Sequence, residues 1–405
     1  MSQNIPIARP FLGEEEAQAA MKVIKSGWLT QGPAVLAFEE AFSDMVGAQY
    51  ACAVSNCTSA LHLALLVVGV RPGDEVITAS HSFIATANAI RYVGAIPVFV
   101  DIEPDSYNLD PAQVKKAISS KTKSILAVHQ MGMPCDLQAL TQLAKAHGIP
   151  LVEDAACAIG SEIKWNGVWQ KIGKPQGDIA CFSFHPRKVL TTGDGGMITT
   201  NNREWDKELR QLRQHGMSVS DSVRHASKNV VFEEYLRFGY NYRMTDIQAA
   251  VGLVQLGRMK SIIKERRRLA EQYMTSLTIL PDVALPAEPQ WARSNWQSFC
   301  VLLPSDCEQQ SVMQSMLNDG IATRRGIMCS HREPAYSDHG LWRCWASEHG
   351  CDDQSERCLH LKNSENAQDN AILLPLFPGM TFEDQERVIA SLVKACNQES
   401  RSNNG

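Results

Sequence analysis

Short apolar, β-rich runs alternate with longer helix-like segments over residues 51–200, and this alternation limits the fold more than any other feature of the chain. The predicted strands are Ala51–Val54, Glu75–Thr78, Pro97–Asp101, Ser124–His129, Pro150–Glu153, Ile179–Phe184 and Met197–Thr200. The predicted helices are Thr58–Val68, Phe83–Val93, Pro111–Ser119 and Asp136–His147. Because continuously apolar strands separated by helices are typical of a sheet covered on both faces, the pattern predicts an α/β fold with a mostly parallel sheet.

A second unit is predicted after this region. Residues Thr245–Met274 form a long helical pattern, which is followed by a strand-like run at Gln297–Leu303. Further helices are predicted at Glu308–Asn318 and Phe382–Cys396. We therefore expect a large domain over residues 1–255 and a smaller α+β domain over residues 256–405.

Charge and composition limit the partners that the chain can have. The 39 Lys and Arg residues and 44 Asp and Glu residues give a net charge of -5, which gives no reason to expect nucleic acid or an acidic membrane as a partner. No apolar run approaches the length of a membrane span, and the N-terminus lacks a secretory signal. We therefore expect a cytoplasmic protein with neither nucleic acid nor membrane among its partners.

The chain has twelve cysteines, and their surroundings favour free thiols. Five lie among apolar or small residues, which predicts burial: Cys52, Cys57, Cys135, Cys157 and Cys181. A second group, over residues 329–360, is interleaved with histidines and comprises Cys329, Cys344, Cys351 and Cys358 with His331, His349 and His360. This group contains no C-x2-C pair of the kind usual in zinc sites, so free thiols are expected there and no metal site.

Polar residues follow several of the predicted strands. They are Asn56, Thr58, Ser82, His129, Glu153, Asp154, Ser183 and His185. In parallel α/β sheets, ligands bind beyond the carboxyl ends of the strands. We therefore expect these side chains to lie at one edge of the sheet and to contain the chemically active groups.

Lys188 lies between the sixth predicted strand and a glycine-rich turn at residues 193–196. Glycine permits positive φ angles and lets the backbone approach a ligand closely. A lysine in such a loop can bind phosphate, form a Schiff base with a carbonyl carbon, or simply lie on the surface. Taken alone, the pattern favours a surface lysine.

Two further segments change this interpretation. Asp154 ends the fifth strand, where a carboxylate can keep a pyridine nitrogen protonated or can simply cap a helix. Thr58 and Ser59 open a helix, whose free N–H groups and dipole favour an anion, although plain capping would need the same residues. With Lys188, these residues offer an imine partner, a pyridinium partner and a phosphate site, which are the requirements of pyridoxal phosphate.

The chain resembles the DegT/DnrJ/EryC1/StrS family of pyridoxal-phosphate-dependent sugar aminotransferases over nearly its whole length. The resemblance is carried by residues 26–33 (SGWLTQGP), 82–88 (SFIATAN), 153–156 (EDAA), 182–188 (FSFHPRK), 239–246 (GYNYRMTD) and 374–380 (LPLFPGM). It implies a fold-type I aminotransferase, with a seven-stranded, mostly parallel sheet between helices and a smaller C-terminal domain. It also implies pyridoxal 5'-phosphate as cofactor, pyridoxamine phosphate as its aminated form, and a homodimer with shared active sites.

The resemblance also implies roles for individual residues. Lys188 would carry the cofactor as a Schiff base and move the proton, Asp154 would pair with the pyridine nitrogen, and Phe83 would stack on the ring. The phosphate would be held by Thr58, Ser59 and Ser183, with Asn241 from the neighbouring subunit. Candidates for the sugar substrate are Trp28, Thr30, His331 and Tyr336, all of which could equally serve packing.

The reaction implied is transfer of an amino group from an amino acid, glutamate by expectation, to a keto- or aldehyde-sugar. The sugar is expected to be nucleotide-linked, and the product to serve amino-sugar, polysaccharide or glycoside biosynthesis. A non-nucleotide acceptor stays open, as does a regulatory protein that binds the cofactor without turnover. Amino-acid transamination also stays open, since arginines that could meet two carboxylates are present: Arg187, Arg243, Arg324 and Arg325.

The chain departs from the family pattern in a few places. Cys157 stands where the family often has histidine or glutamine near the cofactor, and Ser337–Asn363 differs from the usual pattern. Family members that act as sugar dehydratases have histidine in place of the lysine, so Lys188 argues against that activity.

Overall fold

The computed structural model describes residues 4–219, 224, 227–347 and 358–403. The strands are β1 (Tyr50–Val54), β2 (Glu75–Ala79), β3 (Ile96–Val100), β4 (Thr122–Val128), β5 (Leu151–Asp154), β6 (Glu162–Trp165), β7 (Val168–Lys171), β8 (Ile179–Ser183), β9 (Gly196–Thr200), β10 (Ala292–Arg293), β11 (Phe299–Leu302), β12 (Arg324–Arg325), β13 (Arg343–Cys344) and β14 (Ala371–Leu374). The helices are α1 (Glu14–Ser26), α2 (Pro33–Val46), α3 (Cys57–Val67), α4 (Ala85–Tyr92), α5 (Pro111–Ala117), α6 (Leu137–His147), α7 (Arg203–Leu212), α8 (Asp246–Ser276), α9 (Gln309–Asn318), α10 (Lys362–Asn370) and α11 (Phe382–Asn403).

The large sheet has the strand order β1-β9-β8-β5-β4-β2-β3-β13. All neighbouring strands pair in parallel except β9, which is antiparallel to both β1 and β8. The predicted α/β fold with a mostly parallel sheet is confirmed, and the seven predicted strands are all present. An eighth strand, β13, adds two residues to the edge beside β3.

Helices cover both faces of this sheet, as the apolar strands require. On one face, Phe38 and Phe42 of α2 pack on Phe182 and Phe184, with ring centroids of Phe42 and Phe182 5.0 Å apart. On the other face, α3 is buried along most of its length against the sheet. The sheet is therefore a rigid support, and its carboxyl edge is held from both sides.

A buried ion cluster ties α2, β1 and α7 together. The Glu39 carboxylate, 3% exposed, pairs with Arg213 and lies 2.7 Å from Nη1 of Arg210. Both arginines also donate to the β1 backbone, at the carbonyl oxygens of Ala51 and Ala53. Burial raises the pKa of Glu39, but the two guanidinium groups outweigh burial and leave the pKa below its usual value.

A smaller unit contains the sheet β11-β14-β12, packed against α9 and α11. Ile5 packs in its core and pairs with Ile321, so the start of the chain joins this C-terminal unit. The predicted boundary at residues 255/256 falls inside α8, which runs without interruption from Asp246 to Ser276. Among the described residues, no helix is long and apolar enough to cross a membrane.

Candidate active site

A cavity of about 560 Å³ opens at the carboxyl edge of the large sheet. Seven of the eight polar residues predicted at strand ends line it, namely Asn56, Thr58, Ser82, His129, Asp154, Ser183 and His185, whereas Glu153 is fully buried and does not. Lys188 lines the same cavity. Its volume lies within the range of roughly 300–1,000 Å³ usual for small-molecule sites.

Lys188 lies in the loop that follows β8, and its side chain is partly buried. Its Nζ atom donates a hydrogen bond to Sγ of Cys157 at 3.0 Å. Burial alone would lower the pKa of the Lys188 ammonium, but Cys157 and Asp154 together outweigh burial and raise the pKa. The lysine is therefore an inward-facing group at the cavity wall, although the loop pattern alone favoured the surface.

Asp154 ends β5 and is only 5% exposed. Its Oδ2 accepts a hydrogen bond from Oγ1 of Thr86 at 2.8 Å, and its Oδ1 accepts from the Ala156 backbone N–H at 3.2 Å. Burial raises the pKa of the Asp154 carboxyl, and these hydrogen bonds oppose the rise only in part. A buried carboxylate in this state gains from a cationic partner in the cavity.

Thr86 is a site residue that the sequence reasoning missed. Thr86 is 1% exposed, and its hydroxyl donates a hydrogen bond to the Asp154 carboxylate at 2.8 Å. The same hydroxyl lies 2.8 Å from the hydroxyl of Ser82. Thr86 lies in the segment 82–88 that carries the family resemblance, so the motif itself was the available signal.

The start of α3 faces the cavity with Cys57, Thr58 and Ser59. The Asn56 side chain caps the helix by accepting from the Ser59 backbone N–H at 2.8 Å. Helix capping and a ligand-facing helix start are thus both present, since Asn56 caps while Thr58 lines the cavity. Ser183, at the end of β8, lines the same cavity.

The glycine-rich turn after Lys188 serves backbone packing. Gly193 and Gly195 have φ angles of 87° and 158°. A Cβ atom on Gly196 would lie 2.6 Å from the backbone of Asn56, so glycine there lets β9 pack against the start of α3. The sequence predicted a close approach to a ligand at this turn, whereas the close approach observed at Gly196 is to the backbone at the start of α3.

His129 lines the cavity, but hydrogen bonds hold both of its ring nitrogens. The Cys135 backbone N–H donates to Nδ1 at 3.0 Å, and Nε2 lies 3.0 Å from Oε2 of Glu153. Because Nδ1 accepts a hydrogen bond, the ring hydrogen is on Nε2, which donates a hydrogen bond to the Glu153 carboxylate. His129 and Glu153 are both fully buried, so this pair orients the ends of β4 and β5.

Aromatic side chains form one side of the opening. Phe83 lines the cavity and is 59% exposed, so its ring is available to a flat ligand. Tyr242 lines the cavity, and its hydroxyl lies 3.2 Å from Nδ1 of His62. The rings of Tyr240 and Tyr242 stack with centroids 5.1 Å apart, whereas Asn241 between them is exposed and outside the cavity.

The four substrate candidates do not line this cavity. Trp28 and Thr30 lie between α1 and α2, and Nε1 of Trp28 donates to the Thr30 carbonyl at 3.1 Å. Nδ1 of His331 lies 2.6 Å from the Ser80 hydroxyl, and Nε2 lies 3.0 Å from Glu365.

Tyr336, the fourth candidate, is 3% exposed and its hydroxyl donates to Asn88. The structure therefore places His331 and Tyr336 in packing contacts with the residue after β2 and with α4, respectively.

Three exposed arginines line the cavity instead, from two parts of the fold. Arg187 precedes the lysine, whereas Arg324 and Arg325 form β12 of the smaller unit. Arg325 pairs with Glu333 at 2.8 Å. Arg243 does not line the cavity.

Most of the described cysteines are free thiols as predicted, including Cys329 and Cys344, but the prediction is wrong for Cys358, which is disulfide-bonded. All five cysteines predicted to be buried are free, although Cys157 is only partly buried. Among the described residues, no group of three or more His, Cys, Asp or Glu side chains is placed to hold a metal. His349 and Cys351 of the C-terminal group lie outside the described residues.

The residues present fit pyridoxal phosphate on structural grounds. A lysine amine, a buried carboxylate with a raised pKa, and a helix start with threonine and serine all face one cavity. This arrangement at the carboxyl edge of such a sheet is that of pyridoxal-phosphate-dependent aminotransferases, and the chain is an enzyme of this class.

Within that class, the chain belongs to the DegT/DnrJ/EryC1/StrS aminotransferase family, whose family model matches residues 10–393. Solved structures of aminotransferases are similar to this chain over nearly its whole length. The aminotransferase TlmJ from Streptoalloteichus hindustanus is 30% identical, with a TM-score of 0.85 over 98% of this chain and 100% of that one. The putative sugar aminotransferase Spr1654 from Streptococcus pneumoniae, in its PLP form, is 27% identical, with a TM-score of 0.86 over 98% and 99%.

A third solved structure is PseC from Helicobacter pylori, an aminotransferase involved in the biosynthesis of pseudoaminic acid. It is 26% identical to this chain, with a TM-score of 0.85 over 98% of this chain and 100% of that one. The expected family, fold class and enzyme class are therefore confirmed.

Proposed function

We propose that this aminotransferase moves an amino group from glutamate to a nucleotide-linked keto- or aldehyde-sugar. The observation that carries the proposal is that Lys188, Asp154 and the start of α3 share one cavity. The sugar acceptor is supported by the similarity to Spr1654, a putative sugar aminotransferase.

The residues that line the cavity would have distinct roles in binding the cofactor and moving the proton. Lys188 would hold the cofactor's aldehyde carbon as a Schiff base and, once released, its Nζ would move the proton at the substrate carbon. Asp154 would keep the pyridine nitrogen protonated, and Thr58, Ser59 and Ser183 would hold the phosphate. Bound pyridoxal phosphate supplies the electron sink that stabilises negative charge at the reacting carbon.

The opening of the cavity suits a large, anionic acceptor. Phe83 offers an apolar ring face to the cofactor. Arg187 and Arg324 are exposed cations at the same cavity and would attract a diphosphate group. An exposed cationic rim favours recognition of the distal, non-reacting end of the substrate, as in a sugar nucleotide.

The lysine assignment is tested with Lys188→Met, with Lys164→Met on the exposed face of β6 as the matched control. We expect only the first variant to lose the visible absorbance band of the bound cofactor and to lose turnover. Wild-type turnover by Lys188→Met would refute the assignment.

The acceptor is tested with a panel of keto-sugar nucleotides, the same sugars without nucleotide, and free keto acids, each with glutamate or glutamine. We expect the nucleotide-linked sugars and glutamate to react fastest. Reaction of free keto acids alone would refute the sugar assignment, and no reaction with any acceptor would favour a regulatory protein.

A homodimer with shared sites is part of the proposal. Asn241 is exposed and outside its own cavity, and the segment before it carries exposed apolar side chains: Val230, Phe232, Tyr235, Leu236 and Phe238. Phe238 is 99% exposed in the single chain. Such a surface is covered most simply by a second copy, which would bring Asn241 to the partner's phosphate site.

Complementation tests this sharing. Lys188→Met and Asn241→Asp homodimers should each be nearly inactive, because the second variant would place a carboxylate at the phosphate. After the two are unfolded and refolded together, mixed dimers contain one intact site, and random pairing should restore roughly a quarter of wild-type activity. No recovery, despite mixed dimers shown by mass spectrometry, would place Asn241 in its own site or in none.

A further inference from the structure

The contact between Lys188 and Cys157 has no assigned role. Within the described part of the chain, Nζ of Lys188 donates to Sγ of Cys157 at 3.0 Å, and both residues line the cavity.

The position of the Cys157 backbone is fixed by contacts that do not involve the lysine. Its carbonyl oxygen accepts from Nδ2 of Asn295 at 2.8 Å, and the same amide donates to the Ile159 carbonyl at 2.9 Å. The Asn295 backbone N–H in turn donates to the Ser161 hydroxyl at 3.0 Å. The turn after β5 is therefore anchored, and it presents the sulfur to the lysine.

We propose that Cys157 is a positioning residue that holds the Lys188 amine as a thiolate–ammonium pair whenever the lysine is not bound to the cofactor. The inference rests on the proposed role of Lys188. It deepens that role because the pair would set both the location and the proton affinity of the base that acts at the substrate carbon.

The charges around the lysine support such a pair. Besides Cys157, the titratable groups that line the cavity with Lys188 are Asp154, Cys57, His129, His185, Arg187, Asp194, Tyr92, Tyr242, Arg324 and Arg325. Burial raises the pKa of the Cys57 thiol well above its usual value, so Cys57 stays protonated. Cys157, by contrast, is only partly buried, and its sulfur is in direct contact with the Lys188 amine.

The first test uses the cofactor-free protein and iodoacetamide, which alkylates thiolates. The alkylation rate of Cys157 is followed against pH by peptide mass spectrometry in wild type and in Lys188→Met, with Cys57 as the internal comparison. At pH 7 we expect Cys157 to react at least about tenfold faster in the wild-type protein than in Lys188→Met. The reason is that a facing positive charge lowers the pKa of a thiol by about one unit or more. Superimposable profiles in the two proteins would overturn the inference.

The second test follows the loaded enzyme with Cys157→Ala and Cys157→Ser, neither of which can carry the negative charge. The lysine acts as a base only when it has lost its proton. Because the sulfur raises the pKa of Lys188, both variants should release that proton at lower pH. The profile to follow is kcat/KM for the sugar acceptor, because that half-reaction would start from the aminated cofactor, with Lys188 free. Its acid limb should move to lower pH in both variants, whereas a merely structural cysteine would leave it in place, most clearly in the serine variant.

The two tests also separate this inference from the proposed function. An enzyme that aminates sugars through Lys188 but shows unchanged thiol profiles refutes the pair alone. A protein whose Cys157 profile depends on Lys188, yet whose lysine does not carry the cofactor, refutes the proposed function and with it the role of the pair in catalysis.

Discussion

Thr86→Val should weaken cofactor binding without disturbing the fold. The Thr86 hydroxyl is buried and donates to the Asp154 carboxylate at 2.8 Å, whereas the second donor, the Ala156 N–H, is longer at 3.2 Å. Valine keeps the shape and β-branching of threonine but removes the donor. The change therefore isolates one hydrogen bond to the carboxylate proposed to face the pyridine nitrogen.

The size of the effect follows from the type of bond removed. A hydrogen bond to a charged group contributes about 1.5–3 kcal/mol. Losing it makes the ionised carboxylate less favourable, so the pKa of Asp154, already raised by burial, rises further. Because each 1.4 kcal/mol is a factor of about ten, the Kd for pyridoxal phosphate should increase about 10- to 100-fold.

The measurement is a titration of cofactor-free protein with pyridoxal phosphate, followed by its absorbance at pH 7 and pH 8. Ser82→Ala is the matched control, because Ser82 bonds the Thr86 hydroxyl at 2.8 Å but does not bond Asp154. The control should bind nearly as wild type. A Thr86→Val protein that folds normally and binds the cofactor within about threefold of the wild-type Kd would contradict the reasoning, since that ratio corresponds to well under 1 kcal/mol.

Two further substitutions test buried charge. His81 is fully buried, neither ring nitrogen has a hydrogen-bond partner among the described residues, and burial lowers its pKa to about 3. The unfolded chain takes up a proton below pH 6.5 and the folded chain does not, so His81 costs stability as pH falls from 6.5 towards 3. His81→Leu should reduce that loss by up to about 1.4 kcal/mol per pH unit, measured by urea unfolding between pH 7 and 4.5, and parallel curves would refute it. Glu39→Gln leaves Arg213 buried without its carboxylate and should cost about 3–5 kcal/mol in the same assay at pH 7, whereas a loss below 1 kcal/mol would show that the pair contributes little.

The predictable part of the fold was the part with a strong local pattern. The predicted strands of the large sheet end within two residues of the observed ones, because each is a continuous apolar run bounded by turn residues. The hairpin of β6 and β7 was missed although Asn166-Gly167 marks its turn, because its strands are short, polar and half-exposed. β13 could not be predicted, since two residues carry no periodicity and their pairing with β3 depends on tertiary packing.

The candidate site divides in a similar way. Lys188 and Asp154 could be found because strand ends converge on one edge, whatever the details of the loops. The positions of His331 and Tyr336 could not, because histidine and tyrosine serve equally in ligand sites and in buried hydrogen-bond networks, and only their partners distinguish the two. Cys157 was noted as a departure, but its contact with Lys188 depends on a side-chain distance that no sequence pattern encodes.

The late arrival of β13 at the sheet edge has a consequence for biosynthesis. Val98 of β3 pairs with Arg343, so this edge of the sheet stays unpaired until the ribosome has made most of the chain. At about 5–20 residues per second, the ribosome would leave that edge uncovered for roughly 12 to 50 seconds. An uncovered strand edge is a template for pairing with other chains. Substitutions at Arg343 and Cys344 should therefore lower the yield of folded enzyme in the cell more than they lower the stability of the finished molecule.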